Sequence, residues 1–379
     1  MRTYLSAIVL ILILLQVQFG FAQEAIGINP VETPFSSAIH SFQQDRLGEA
    51  CPVFREWREQ FRNRVEMHLE QAEQEAVFKA LLCGLRQAEP QAAQDALHFI
   101  AGSPLRAFQD RLHAALADYY FRKRQWSACI DHYGKAGIDL FTNQEIATAQ
   151  FQQGYAHFVL RQFKEARAFF NSVRLLADDV HKADATYYYA LLLFKERSWD
   201  DALLQFRLVE SDRVYGPYVP YFIAQILLVL DKVDETISYV ISRQSLLPAP
   251  YHQKELQQLL GQAYFLQENY AQALTQLSAH AAQVDSLSSE EDYQIAYSLY
   301  RTGQLSQAAQ RFQRLSAKPD SLGQSAMFLL GDTYLKQADY AAARSAFLFF
   351  ARNSSNTKQR EAARFLHAKL SYQLGFFDE

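Results

Sequence analysis

The chain has 379 residues, 49% of them hydrophobic and 21% charged, the proportions of a protein with a substantial buried core and not of a disordered one. With 37 Lys+Arg against 41 Asp+Glu it is mildly acidic, which argues against a nucleic-acid footprint, since that needs a concentrated basic surface. Only 14 Gly and 10 Pro are present, too few turn formers for an all-β fold.

Residues 1–22 read as a signal peptide. Arg2 supplies the positive end, residues 5–15 the apolar run, and Gly20-Phe21-Ala22 places small residues where a signal peptidase reads. The run is shorter than the roughly 20 residues a bilayer span needs, and Gln16 and Gln18 interrupt it. No Cys follows the cleavage point, so a mature exported chain starting at Gln23, without a lipid anchor, is expected.

Asn29-Pro30 and Thr33-Pro34 hold the next stretch out of helix. Beyond it a pattern recurs that fits a 34-residue helix–turn–helix unit. Numbered through such a unit, small residues at positions 8 and 20 let its two helices approach, and large ones at 11, 17 and 24 fill the space beside them. The first unit has Ala38 at 8, Leu47 at 17, Ala50 at 20 and Phe54 at 24. Its Pro52 falls early in the second helix, where a missing N–H costs least. The second unit is irregular: Ala80, Cys83 and Ala92 fit, but Glu89-Pro90 replaces the aromatic residue and Gly102-Ser103-Pro104 ends the pattern.

From there the register is regular. Position 17 is Trp126, Phe163, Trp199, Val233, Tyr270, Leu305 and Tyr340, at intervals of 37, 36, 34, 37, 35 and 35 residues. Position 8 is Ala117, Gly154, Ala190, Ala224, Gly261, Ala296 and Gly331, and position 20 is Cys129, Ala166, Ala202, Thr236, Ala273, Ala308 and Ala343, all small. Position 24 is Tyr133, Phe170, Phe206, Val240, Leu277, Phe312 and Phe347, all large. Seven successive agreements at three sterically constrained positions are beyond what a generic amphipathic helix produces.

The breaks fall between helix pairs. Pro217 is expected to open a helix, Pro248-Ala249-Pro250 to close a pair, and Lys318-Pro319-Asp320 and residues 353–356 to separate later pairs. Residues 286–289 offer capping hydroxyls ahead of Glu290-Glu291-Asp292, acids suited to the positive end of a helix. Residues 361–374 read as one more first helix, with Ala368 at position 8 and a turn at Gly375-Phe376-Phe377, but no second helix follows. Its apolar face would be costly on a terminal cap, so the sequence is expected to be the N-terminal part of a longer chain. Cys51, Cys83 and Cys129 fall at packing positions; buried free thiols are the expected state, a Cys51–Cys83 bridge between neighbouring units the alternative.

The stretches QFKEARAFF, SWDDALLQF, NYAQALTQL and DYAAARSAF resemble the tetratricopeptide-repeat family, and the resemblance covers residues 31–379. With the signal peptide, the chain is similar to exported repeat proteins of Gram-negative bacteria, most of all the Bacteroidetes type over residues 206–225. The resemblance implies an all-α, right-handed α-solenoid of about nine stacked helix–turn–helix repeats plus an unpaired last helix. It also implies that the first helices line a concave face that binds a protein or peptide. On that face, positions 2, 5, 9, 12 and 13 point into the groove. They give Phe151, Tyr187, Tyr221, Tyr293 and Phe328 at 5, Tyr155 and Tyr297 at 9, Tyr218 at 2, and Arg122, Lys195, Arg301 and Lys336 at 13. Aromatic rings offer contact area at low entropic cost. The aromatic stripe at position 12 (Phe121, Phe158, Phe194, Phe265, Tyr300) is expected instead to pack between repeats. The Lys/Asn clamp with which some relatives hold a C-terminal carboxylate is absent.

Catalytic signatures are missing: the sequence has no CxxC, HExxH, GxSxG or Walker lysine loop. Asp178, Asp179 and His181 form the one local acid–His cluster, expected to be a solvated loop and not a metal site, which takes three or four convergent ligands. The expectation is therefore a non-enzymatic periplasmic scaffold or adaptor without cofactor or metal, its partner a protein or peptide. The alternatives are the sensor region of a longer envelope signalling protein and a glycan-binding accessory protein, since exposed rings also stack on sugars.

Overall fold

The computed structural model describes residues 34–62, 71–137, 141–176, 179–246, 251–354 and 357–376. The expected signal peptide, Asn29-Pro30, Thr33, Asp178, Pro248-Ala249-Pro250, residues 355–356 and Phe377 lie outside the described residues, while Pro34 opens the first helix. The described residues form helices and no strand.

In chain order the helices are α1 (Pro34–Gln43), α2 (Leu47–Arg62), α3 (Gln71–Arg86), α4 (Ala92–Gly102), α5 (Arg106–Arg122), α6 (Trp126–Lys135) and α7 (Asn143–Val159). There follow α8 (Phe163–Arg174), α9 (Lys182–Lys195), α10 (Trp199–Leu208), α11 (Val219–Val229), α12 (Val233–Leu246) and α13 (Gln253–Leu266). The last are α14 (Tyr270–Ala281), α15 (Ser289–Arg301), α16 (Leu305–Ser316), α17 (Ser321–Lys336), α18 (Tyr340–Asn353) and α19 (Thr357–Gln373). Contacts divide the chain into two compact units inside α8, between Phe169 and Phe170.

Each unit is an α-solenoid segment in which a helix packs on its neighbours in sequence. In the first unit α3 also touches α5, and α5 touches α7; in the second α11, α13, α15 and α17 touch in succession. The odd-numbered first helices thus lie side by side and form one face of each unit.

The small–large pattern explains the pairing. The alanines at position 8, the residues at position 20 and those at position 24 are buried throughout, from Ala117, Cys129 and Tyr133 to Ala343 and Phe347. Where position 8 is Gly the helices come closer still. A Cβ on Gly261 would stand 2.6 Å from the Leu277 side chain, and one on Gly331 2.8 Å from the Phe347 ring. The irregular second unit also forms a pair, α3 with α4, with Ala80 and Ala92 buried. Glu89, in place of the aromatic residue, forms an ion pair with Arg55 of α2.

Turns inside the pairs share one device that the sequence reading did not contain. Asp45, Ala88, Arg124, Arg161, Arg197, Asp231, Glu268, Gly303 and Ala338 all have a left-handed backbone, with φ between 55° and 82°. That conformation lets two amides return to the preceding helix: Arg124 N–H donates to Phe121 O and Gln125 N–H to Tyr120 O, each at 2.9 Å.

Several local expectations are corrected. Cys51 of α2 and Cys83 of α3 are joined by a disulfide, with Cα atoms 5.6 Å apart; both helices present their thiols at the α2–α3 contact, so packing itself brings them together. Cys129 is free and buried. Pro217 lies in a turn, and α11 starts at Val219 with Pro220 in its first turn. The α15 start behaves as expected: Ser288 and Glu291 form a reciprocal capping box. Helix α19 begins earlier than expected, at Thr357, and Ala368 is exposed. Position 8 is covered elsewhere by the second helix of the same pair, and among the described residues none follows α19. Its Ala363 and Leu370 are buried in the cluster that holds Phe347 and Phe350 of α18.

Candidate functional site

The first-helix face of the first unit holds a cavity of about 420 Å³. Groove positions line it: Arg111, Ala114, Asp118 and Arg122 of α5 and Thr148 of α7, together with Leu82, Leu85 and Arg86 of α3. Ala114 occupies position 5 and gives the cavity a small side chain there.

The walls are tied by a polar network. Tyr133 O–H donates to Gln152 Oε1 at 2.7 Å, and Gln152 Nε2 donates to Asp118 Oδ1 at 3.0 Å. Arg122 Nε donates to Asp118 Oδ2 at 3.0 Å, and its two terminal nitrogens donate to the carbonyls of Arg86 and Leu85. Arg122 therefore caps the C-terminal end of α3, a favourable place for a cation. Arg111 pairs with Glu145 and lies 4.7 Å over the Phe141 ring. Burial alone would raise Glu145, but the Thr142 amide, Arg111 and the Thr142 hydroxyl together hold it below the usual carboxylate range. Burial, with the nearby Asp118 charge, pushes the Tyr133 phenol up and the Cys129 thiol up to about 12, so both stay protonated and Cys129 is inert. Phe151 is buried and does not reach this surface. Tyr155 joins a ring triad with Phe121 and Trp126, each centroid 5.6 Å from its own.

In the second unit the expected residues fall into two groups. Tyr187 stacks on Tyr215 at 4.3 Å and sits edge-on to Phe206. Tyr218 stacks on Tyr251 at 4.0 Å, and Tyr221 lies 4.8 Å from the His252 ring. These rings stand at the N-terminal ends of α9, α11 and α13, and Tyr251 is 53% exposed. Tyr215 and Tyr251 were not foreseen; both lie in turns, outside the helical register that exposed the others. Tyr215 O–H donates to Asp184 Oδ1 at 2.8 Å.

The other group lies on α15 and α17. Tyr297 forms a second triad with Phe265 and Tyr270, at 5.7 and 5.4 Å, and Arg301 covers Tyr270 at 4.4 Å while donating to the Tyr297 hydroxyl. Lys336 sits 3.8 Å over the Tyr300 ring. Arg301 and Lys336, like Arg122, thus reach back from position 13 to the preceding repeat. Tyr293 packs edge-on to Phe312, and Phe328 lies between Phe347 and Phe350, so these two mainly close their own pair. Lys195 is exposed at the end of α9. Between these groups Val229 and Leu266, at position 13 of α11 and α13, are 52% and 57% exposed.

Burial raises Tyr187, Tyr215, Tyr221, Tyr293 and Tyr300, reinforced by Tyr218, Asp184, Glu255, Tyr297 and Asp332 respectively. At neutral pH they are hydrogen-bond donors, not anions. The position-12 rings meet position 17 of their own pair edge-on, as in Phe121–Trp126, Phe158–Phe163, Phe194–Trp199 and Phe265–Tyr270, and Phe121, Phe194 and Phe265 also meet a ring of the next repeat, Tyr155, Phe222 and Tyr297. Asp179 accepts the His181 amide at 2.8 Å and Asp184 meets the His181 ring at 3.1 Å, which orders the start of α9. Among the described residues no cluster of His, Cys, Asp or Glu is placed to hold a metal.

Residues 293–356 match a family model described as "Tetratricopeptide repeat". That segment runs from α15 to the end of α18, two of the helix pairs described above. Among solved structures the chain is similar to the C-terminal part of a TPR repeat-containing protein from Cytophaga hutchinsonii, at 14% identity and TM-score 0.48 over 65% of this chain and 98% of that one. It is also similar to the apo form of RapI, at 14% identity and TM-score 0.46 over 90% and 98%, and to pilF of Pseudomonas aeruginosa, at 16% identity and TM-score 0.42 over 58% and 97%. Nothing among the curated proteins matches the chain.

Proposed function

We propose that the chain is a non-enzymatic scaffold whose first-helix face binds a segment of a protein partner, and that it works after export, in the periplasm. The observation that carries the reading is the first unit's cavity: an apolar floor of Leu82, Leu85, Ala114 and Ala149 rimmed by Arg86, Arg111, Arg122, Asp118 and Glu145. A floor of that kind takes a partner's apolar side chain, and a mixed-charge rim fixes its orientation. The half-buried Tyr187, Tyr218 and Tyr221 and the exposed Tyr251 of the second unit offer further contact area of the same type. Export is supported by the Cys51–Cys83 disulfide, a bond that persists in oxidising compartments, and by the signal-like residues 1–22. Among the described residues no helix is long and apolar enough to cross a membrane.

The test is site-specific photo-crosslinking in the native cell from Thr148 and Tyr221 on the first-helix face, with Ser238 of α12 as the control. A discrete protein adduct from the first two and not from Ser238 is expected. Ala114→Lys, whose charged end must stay in solvent and so stands in the cavity, should abolish the Thr148 adduct while the fold is kept. Equal labelling from Ser238, or an unchanged adduct in Ala114→Lys, would sink the reading. Oligosaccharide binding lost in Tyr218→Ala, without any protein adduct, would instead favour a glycan-binding accessory protein.

A further inference from the structure

A second site, unrelated to the first-helix groove, lies between α18 and α19. Arg360, Arg364 and His367 follow one another at i, i+4 and i+7, one face of α19. They line a cavity of about 490 Å³ together with Leu348, Ala351 and Arg352 of α18. Three guanidinium groups and an imidazole thus border one space, and among the described residues no carboxylate pairs with any of them. The contrast with the rest of the second unit is sharp: Arg207 pairs with Glu210 and Glu235, Arg243 with Glu210, and Arg311 with Asp292.

The unmet hydrogen bonds point the same way. Arg360 Nε and His367 Nε2 are both shut off from solvent, and neither has a hydrogen-bond partner. A buried donor or acceptor left without a partner costs about 1–3 kcal/mol, so small side-chain shifts that turn these atoms toward an acceptor in the cavity would be favourable. Burial, with the charges of Arg344 and Arg352, holds the His367 imidazole below its ordinary pKa; an anion in the cavity would relieve that repulsion. The first turn of α19, where Arg360 stands, adds the positive end of the helix dipole.

We infer that this cavity binds a small multivalent oxyanion, a phosphoryl or polycarboxylate group, held in the forks of Arg352, Arg360 and Arg364 and by His367. Guanidinium forks match the paired oxygens of both groups, and the volume accommodates a group larger than a single inorganic phosphate.

The probes are pyrophosphate and citrate, titrated separately into the full chain at constant ionic strength by calorimetry. Saturable one-site binding of at least one probe is expected, weakened at least tenfold in Arg360→Gln and in Arg364→Gln. Arg364 is exposed, so its variant should keep the parent melting temperature and serve even if Arg360→Gln is unstable. Binding of pyrophosphate alone assigns a phosphoryl ligand; binding of citrate alone assigns a polycarboxylate. If neither probe binds at millimolar concentration, or if Arg364→Gln binds like the parent, the site does not exist. Neither result bears on crosslinking from Thr148, so the two readings fail separately.

Discussion

Gly303 is the one glycine among the nine turns that join the helices of a pair, and the eight others hold residues with a side chain in the same left-handed backbone. A Cβ on Gly303, at φ 82°, would meet nothing within 4 Å, so Gly303→Ala isolates the backbone cost. It should lower stability by about 1 kcal/mol in urea unfolding. Arg197→Gly, at φ 61°, should raise stability by about 0.5 kcal/mol, since relief of left-handed strain outweighs the added chain entropy. No change in either would mean that the neighbouring hydrogen bonds, not φ, set the turn energy. Gly331→Ala differs in kind: its Cβ would collide with the Phe347 ring, and overpacking should cost about 1–3 kcal/mol. These cases separate what the sequence disclosed from what it concealed. Position 8 was legible because only small side chains fit between crossing helices. The left-handed turns were not, because Arg, Asp, Glu and Ala at those places carry no compositional mark of the backbone they adopt. Tyr293 and Phe328 were read as groove residues, whereas a ring at position 5 is long enough to reach its own second helix, and there it packs.

Within a pair, buried polar groups make the helix contact sensitive to solution conditions. His113 of α5 and His132 of α6 share a hydrogen bond between their Nδ1 atoms at 2.9 Å, with the Tyr120 ring 5.3 Å from that of His132. One Nδ1 must donate and the other accept, so the bond needs at least one neutral ring. Burial, then repulsion from His113, lowers His132 to about 4; Asp131 pulls the other way and Lys135 adds to the lowering. Burial and Lys135 also lower His113, against Asp110 and Asp131. The unfolded chain takes up these protons near pH 6.5 and the folded one only at lower pH. The stabilising contribution is therefore complete above about pH 6.5 and is lost as the pH falls toward about 4. Melting temperature measured across that window should fall more steeply for the parent than for His132→Phe. Parallel curves would show that other groups govern the acid response. Sequence reading singled out neither histidine, since which residues face one another across a pair depends on the helix crossing and not on spacing along the chain.

Among the described residues, substantial contacts join helices no more than two places apart in the chain, the arrangement in which stability is approximately a sum over neighbouring repeats. A perturbation at one end should then weaken its own neighbourhood most. The Cys51–Cys83 bond provides the means, because it ties α2 to α3 across 32 residues of chain. By chain entropy a cross-link of that span is worth about 3–4 kcal/mol. The thiol count comes first: the unreduced chain, unfolded in denaturant, should titrate one thiol, Cys129, and three would mean that the bridge does not form. The chain has three tryptophans, and two of them report on different places. Trp57 in α2 packs against Phe35 at 4.8 Å, beside the disulfide, whereas Trp199 opens α10 in the second unit. In the double variant Cys51→Ala/Cys83→Ala, single-tryptophan chains retaining Trp57 should unfold at distinctly lower denaturant concentration than before. Those retaining Trp199 should shift far less. An equal shift at both tryptophans would show that the whole chain unfolds as one cooperative block, and that nearest-neighbour contacts alone do not set its stability.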